Sequence, residues 1–405
     1  MQLTAPPQLW RNRDYMLLWS GQVASTLGTT ASQVVVPLLV LAMTSSPEAA
    51  GIAGALRSLP YLAFSLPVGA LIDRWDRKKV MIRCDAGRAI AVATIPVAMA
   101  FDALTLGQIY VVSLVEGSLF VFFNIAEVAA LPRVVPRPQL PQATAQNEAG
   151  FFSANIAGPP IGTVLFQLVG RAAPFAANAV TYLVSLVSLM RIRTPFHTER
   201  APRPLDLKAE VAEGLRWMWA NPLIRFMAIL TGGLNFINAA TPLLLIVISK
   251  RLGADDAAIG TVFSAMGVGG VLGSIVGGRI AKRFTFGQVI IALIWLEAIL
   301  FPLYVLMPSF LLVALVAGAT SFLGPVYNVV QFSYRVAIIP DPLQGRVNSV
   351  FRLLAFGFMP AGAAVSGVML ERLGPGPSVM LLSGWLLVFA VATALNRHVR
   401  EAAPL

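Results

Sequence analysis

Apolar runs of roughly 20 residues recur from one end of this chain to the other, separated by short segments rich in Gly, Pro and charge. Each run is long enough to cross a hydrocarbon core of ~30 Å as a helix. The pattern predicts spans at 15–44, 51–72, 80–101, 108–131, 143–168 and 173–190. After a polar stretch it predicts six more, at 223–249, 258–280, 288–307, 310–338, 346–370 and 378–396. The expected fold is an all-α membrane protein of twelve transmembrane helices in two pseudo-symmetric six-helix bundles. Its divisions are an N-terminal bundle at 1–193, a linker at 194–222 and a C-terminal bundle at 223–405. Within the linker, Val211, Leu215 and Trp219 recur at i, i+4, i+8, and Asp206, Glu210 and Glu213 occupy the early turns, as in an interfacial amphipathic helix.

Composition agrees with that solvent. Hydrophobic residues make up 57% of the 405 and charged residues 12%, against about 25% charged in a soluble domain. The net charge of +11 does not imply a nucleic-acid partner, because the basic residues form short clusters between apolar runs and not one soluble face. They fit orientation instead. With the N-terminus inside, Arg171, Lys250, Arg251 and Arg372 lie in outer segments and Arg57 and Arg88 within spans, while every other Lys and Arg falls on the cytoplasmic side. Both termini are therefore expected in the cytoplasm. The first span is too long for a signal-peptide core and is read as a mature helix. Cys84 is the only cysteine, which excludes an intramolecular disulfide. His197 and His398 stand alone, and no phosphate-cradling loop or metal-ligand cluster is present, so neither an enzyme, a cofactor, a metal nor ATP hydrolysis is expected.

The most specific signal lies between the second and third spans: Gly69-Ala70-Leu71-Ile72-Asp73-Arg74-Trp75-Asp76-Arg77-Lys78-Lys79. Gly69 lets a helix approach closely, Asp73 can cap or pair with an opposing helix N-terminus, and Arg74, Arg77 and Lys78 anchor the turn at anionic headgroups. The pattern resembles the G-x-x-x-D-R-x-G-R-R/K loop of the major facilitator superfamily, with Asp76 where the second Gly usually stands. A degenerate copy follows span 8, Gly277-Gly278-Arg279-Ile280-Ala281-Lys282-Arg283, with Ala281 replacing the acid. In span 5, N-I-A-G-P-P-I-G is similar to the G-P-x-x-G element of that superfamily's antiporters, with Gly158, Pro159 and Gly162 allowing a kink and close packing. Asn12 to Gln22, Glu213 to Pro222 and Gly345 to Arg352 resemble the branch of macrolide and siderophore exporters. The resemblance implies the major facilitator fold, alternating access, and export driven by the proton gradient.

In the implied fold, spans 1, 4, 7 and 10 line a substrate cavity. Polar residues recur there at helical spacing: Gln22, Thr26, Thr29 and Gln33 in span 1, Asn124 in span 4, Thr231, Asn235 and Asn238 in span 7, and Ser321, Asn328, Gln331 and Arg335 in span 10. Span 6, expected at the periphery, carries a similar stripe of Asn178, Thr181, Ser185 and Ser188, so interhelical hydrogen bonding explains such stripes equally well.

Carboxylates carry more information, since an ionisable group in hydrocarbon costs ~2.5 kcal/mol or more unless paired or hydrated. Glu116 and Glu127 share one face of span 4 and are the candidates for proton coupling; the alternative is a structural ion pair with Arg57, Arg88 or Arg352. Glu297 also lies mid-span, but in span 9, expected at the periphery. Two departures from the exporter branch weigh on coupling: Gly28 is followed by Thr29 instead of an acid, and Ser113 stands where a span 4 Arg is usual. The expected function is export of a hydrophobic or amphipathic small molecule, such as a drug, antibiotic or siderophore, from a monomer in a prokaryotic inner membrane in exchange for protons. The alternatives are an importer or facilitator of a small metabolite and a non-transporting receptor or assembly partner.

Overall fold

The computed structural model describes residues 9–72, 74–196, 207–340 and 343–402. Asp73, His197 and Asp206 lie outside them, as do the side chains of Gly69 and Glu210. Helices account for nearly all of the described chain, because a backbone that crosses hydrocarbon must satisfy every N–H and C=O within its own segment. The chain forms two compact units, one of residues up to Val35 together with 63–205, the other of Val36–Leu62 and the remainder from Asp206.

The first unit is built from α1 (Arg13–Thr44, up to Val35), α2 (Pro47–Ile72, from Ala63), α3 (Arg77–Ala100), α4 (Leu106–Val134), α5 (Leu140–Val164, prolonged by a π turn at Leu165–Val169) and α6 (Ala173–Arg191). Its apolar core gathers Tyr15, Ile72, Met81, Cys84, Ala126 and Leu189, all nearly inaccessible. The helix starts are coded locally. Asp76 caps α3 by accepting from the backbone N–H groups of Lys78 and Lys79 at 3.0 and 3.3 Å, and Thr105 caps α4 through Gln108 N–H. Gly170, at φ +126°, adopts a conformation that only glycine reaches easily and breaks the chain between α5 and α6.

The second unit holds α7 (Leu207–Ala220), α8 (Pro222–Arg251), α9 (Asp256–Arg283), α10 (Phe286–Leu300), the single turn α11 (Leu303–Leu306), α12 (Phe310–Ile338), α13 (Gln344–Gly357), α14 (Met359–Leu373), α15 (Pro375–Leu395) and the turn α16 (Arg397–Arg400), besides Val36–Leu62. Small residues set its tightest packing. A Cβ on Gly269 or Gly273 of α9 would collide with the α12 backbone at Gly318 and Phe322, and one on Gly51 would lie 2.7 Å from the Ala363 carbonyl.

Among the described residues, ten helical segments are long and apolar enough to cross a membrane. Pro47–Ile72 and Arg77–Ala100, of 26 and 24 residues, have the length as well, the latter carrying Arg83, Asp85 and Arg88. These twelve segments match the expected spans to within a few residues. Large apolar side chains such as Ile90, Val128, Leu168, Leu315 and Val388 point outward, as lipid-facing positions do.

Helix α7 lies within the stretch read as the linker. The buried face of α7 runs through Gly214 and Met218, whereas Leu215 and Trp219 are exposed. The reason is Gly214, whose missing side chain admits the Arg346 carbonyl; a Cβ there would lie 2.7 Å from it. The face turned to α13 is therefore rotated from the Val211, Leu215, Trp219 stripe.

Candidate functional site

In the first unit α1, α3, α4 and α6 enclose a buried polar cluster. Its centre is Tyr182 of α6, fully buried, whose hydroxyl donates to Glu116 Oε1 at 2.6 Å. Arg88 Nη2 donates to the Tyr182 hydroxyl at 2.7 Å and to Thr29 Oγ1 at 3.1 Å. The Tyr182 proton is committed to Glu116, so in the 2.8 Å contact between the two hydroxyls Thr29 is the donor. The guanidinium also lies 4.1 Å from the Tyr182 ring centroid, and the Asp85 carboxylate is 3.6 Å from Arg88 Nη1, both side chains almost wholly buried. With both acids ionised, Asp85, Arg88 and Glu116 sum to one negative charge, and one proton makes the group neutral.

Glu127, three turns along α4 from Glu116, is half-buried beside Gln22 and within electrostatic range of Asp85, Arg88 and Glu148. The two candidate acids and Thr29 thus converge on the same helices. Gln22 is buried, Thr26 and Asn124 are half-buried, and Gln33 is exposed. Asp85 and Tyr182 were not singled out from sequence, and Arg88 figured only as a structural ion-pair partner. For Asp85 a signal existed, an acid three residues before an Arg inside a span, which is ion-pair spacing on a helix. For Tyr182 there was none, since a tyrosine in a membrane helix is unremarkable until its neighbours are known. The span 6 stripe packs against α1: a Cβ on Gly28 would strike Thr181 and Asn178, and one on Gly21 would lie 3.1 Å from Ser188.

The quoted motifs prove to be joints. Asn12 donates to the Val134 carbonyl at 2.8 Å, Asp14 accepts from Thr194 Oγ1 at 2.6 Å and Trp19 Nε1 donates to the Gln146 carbonyl at 3.0 Å, tying α1 to the ends of α4, α5 and α6. In the loop after α2, Arg74 N–H closes a turn on Leu71, Arg77 donates to the Ala129 carbonyl at 2.9 Å and Lys78 to the Ile192 carbonyl at 2.5 Å. The span 5 element packs on α1: Gly158 faces Thr30, Gly162 would place a Cβ 2.6 Å from the Ala31 carbonyl, and Pro159 is buried beside them. In the second unit Glu213 and Arg346, drawn from two separate motifs, form a salt bridge.

The second unit contains a cavity of about 210 Å³ between α8, α9, α10, α11 and α12. Asn235, Asn238 and Asn328 line it, as do Thr231 and Ser321; Gln331 is buried elsewhere, with Nε2 lacking a hydrogen-bond partner. Glu297 lines it too, which differs from the peripheral placement expected of span 9. Span 9 turns Glu297 inward together with Leu293 and Ile294, while Leu296 and Ile299 on its other face stay exposed.

The profile of the family described as transmembrane secretion effector matches residues 5–404. The chain belongs to the transmembrane secretion effector family. Within curated proteins this secretion effector is similar to the "Multidrug efflux pump Tap" of Mycolicibacterium fortuitum, at 25% identity over 95% of this chain and 96% of that one. It is also similar to the "Enterobactin exporter EntS" of Escherichia coli strain K12, at 26% identity over 92% of this chain and 89% of that one. Its fold is that of major facilitator transporters. The nucleoside transporter NupG superposes with a TM-score of 0.75 at 14% identity, covering 94% of this chain and 99% of that chain. A bacterial homologue of the human lysosomal transporter Spinster gives 0.68 at 15%, covering 96% of both. The protein is thus a multi-pass membrane transporter of a secretion and efflux family, and not an enzyme.

Proposed function

We propose that this secretion effector exports a hydrophobic or amphipathic small molecule, a drug, antibiotic or siderophore, across a prokaryotic inner membrane in exchange for protons. It does so by alternating access, as a monomer with both termini in the cytoplasm and halves at 1–193 and 223–405. The export direction is supported by relatives named as an efflux pump and an exporter, each aligned over nearly the whole chain. For coupling, the observation that carries most weight is the buried group Asp85, Arg88, Glu116 and Tyr182, with its single surplus carboxylate. Protonation of one of its carboxylates lowers the net charge of the cluster and changes the bonds among its members. That change acts directly on the contacts joining α1, α3, α4 and α6, and so on how they pack. Glu127, beside Gln22, is the second proton carrier on the same face of α4. The loop Gly69, Asp73, Arg74, Asp76, Arg77 and Lys78 serves as a conformational latch, and Gly158, Pro159 and Gly162 as the sliding contact of α5 on α1.

Purified protein in proteoliposomes with an imposed pH gradient tests this reading, scanning macrolides, catecholate siderophores and lipophilic cations. The wild type should accumulate at least one of them only with the gradient, and Glu116→Gln should uncouple that transport from the gradient. Gradient-independent transport by wild type removes the antiport mechanism, and full gradient dependence in Glu116→Gln and Glu127→Gln removes these two as carriers.

A further inference from the structure

The cavity of the second unit has an uneven polar lining, and its hydrogen-bond directions can be worked out. Thr231 Oγ1 donates its only proton to the Met227 carbonyl at 2.7 Å, so in its 2.7 Å contact with Tyr327 the tyrosine is the donor. Thr320 Oγ1 likewise donates to the Ala317 carbonyl at 3.1 Å, so Tyr304 donates in the 2.6 Å contact between them. Both tyrosine protons are thereby spent on threonines, and what each phenol has left for the cavity is lone pairs. Asn235 Nδ2 is held by the Ala355 carbonyl at 2.7 Å. Glu297 enters the same space, with both phenols within electrostatic range. Its backbone carbonyl accepts from Phe301 N–H at 2.9 Å, while among the described residues its carboxylate has no salt bridge and no hydrogen bond.

A carboxylate, two phenol oxygens with only acceptor capacity and the aromatic wall of Phe301, Tyr304 and Tyr327 make one side of the cavity acceptor-rich, and among the described lining residues there is no Lys, Arg or His; the donors that remain are the amides of Asn235, Asn238 and Asn328 and the Ser321 hydroxyl. We infer that this cavity is a binding site for the protonated amine of a compact aromatic or aliphatic amine, with Glu297 as its counter-ion and the Tyr304 and Tyr327 oxygens as acceptors. An ammonium complements that side: it brings a positive charge for the carboxylate, N–H donors for the phenol oxygens, and a cation for the aromatic faces. A volume of about 210 Å³ admits a molecule of roughly ten heavy atoms, and the apolar walls of Leu293 and Ile294 receive its hydrocarbon part. An anion is disfavoured by the carboxylate.

The inference deepens the transport reading by assigning a substrate class to one cavity. Its test is equilibrium binding without a gradient, so a failure of antiport leaves it untouched. Purified full-length protein in nanodiscs is titrated calorimetrically with phenethylammonium, with 2-phenylethanol as the uncharged probe of equal size and benzyltrimethylammonium as a cation without N–H donors. The site should bind phenethylammonium at least about tenfold more tightly than 2-phenylethanol, with the quaternary cation between them. Glu297→Gln should lower phenethylammonium affinity about tenfold or more and leave 2-phenylethanol unchanged, while Glu297→Asp should restore much of the loss. Thermal unfolding of each variant confirms that it is folded. Equal affinity of the ammonium and the alcohol, or unchanged ammonium binding in folded Glu297→Gln, overturns the assignment. Loss in Glu297→Gln with no rescue by aspartate and equal loss of the alcohol also overturns it, since the carboxylate is then structural.

Discussion

The bond between Tyr182 and Glu116 can be measured as a free energy. Tyr182→Phe keeps the ring, and with it the 4.1 Å stacking under Arg88, but removes a hydroxyl bonded to Glu116, Arg88 and Thr29 at 2.6, 2.7 and 2.8 Å. Each lost partner leaves a buried polar atom short of a bond, at about 1–3 kcal/mol apiece before relaxation. A double-mutant cycle with Glu116→Leu isolates the pair itself, and a hydrogen bond to a charged acceptor predicts a coupling of about 1.5–3 kcal/mol. The second unit supplies an internal control: Tyr327 donates to Thr231 at 2.7 Å with no charge involved, and neutral bonds between membrane helices average about 0.6 kcal/mol. Glu116→Gln refines the cycle, because glutamine keeps an acceptor oxygen without the charge, and its coupling to Tyr182 should fall to the neutral level. The assay is equilibrium unfolding of purified variants by dodecyl sulfate in mixed micelles. A Tyr182–Glu116 coupling no larger than that of Tyr327–Thr231 refutes the charged cluster as drawn, and with it the proton site proposed there.

Three further outcomes follow from packing and capping. Gly162→Val should prevent α5 from seating on α1 and destabilise the protein by at least about 1–3 kcal/mol, whereas Gly324→Ala, with open space around it, should be tolerated; thermal stability in detergent compares them. Asp76→Ala should cost about 1 kcal/mol through loss of the α3 cap, with Asp76→Ser recovering most of it, read from the same unfolding curves. Gly214→Val should push α7 away from the Arg346 carbonyl, and amide exchange across Leu207–Ala220 should then accelerate while α8 stays protected; unchanged exchange in α7 contradicts the packing described.

How far a residue's role could be read in advance depends on the range of the physics behind it. Span positions were legible because a helix in lipid satisfies its own backbone and needs only length and apolar content, both local properties. The caps at Asp76 and Thr105 rest on equally local geometry though neither was read from the sequence, and the acids of α4 share a face by helical geometry alone. Glu213 and Arg346 each stood in a recognisable motif, yet nothing in either motif said that they meet. Asp85 was passed over because a single acid near a basic loop reads as part of that loop.

The amino-acid sequence by itself determined that this is a polytopic helical membrane protein, where its helices run, and that acids lie within them at a cost that needs an explanation. The tertiary structure alone decided what each acid faces. Glu116 was brought to Arg88 through a tyrosine 66 positions away in sequence, and Glu297 was turned from an expected periphery into a cavity whose phenol protons are already spent. The physical reason is the same in both cases. Hydropathy reports which segments leave water, but the rotation of each helix about its axis is set by side-chain packing with helices remote in sequence, and that rotation selects the partner of every polar group.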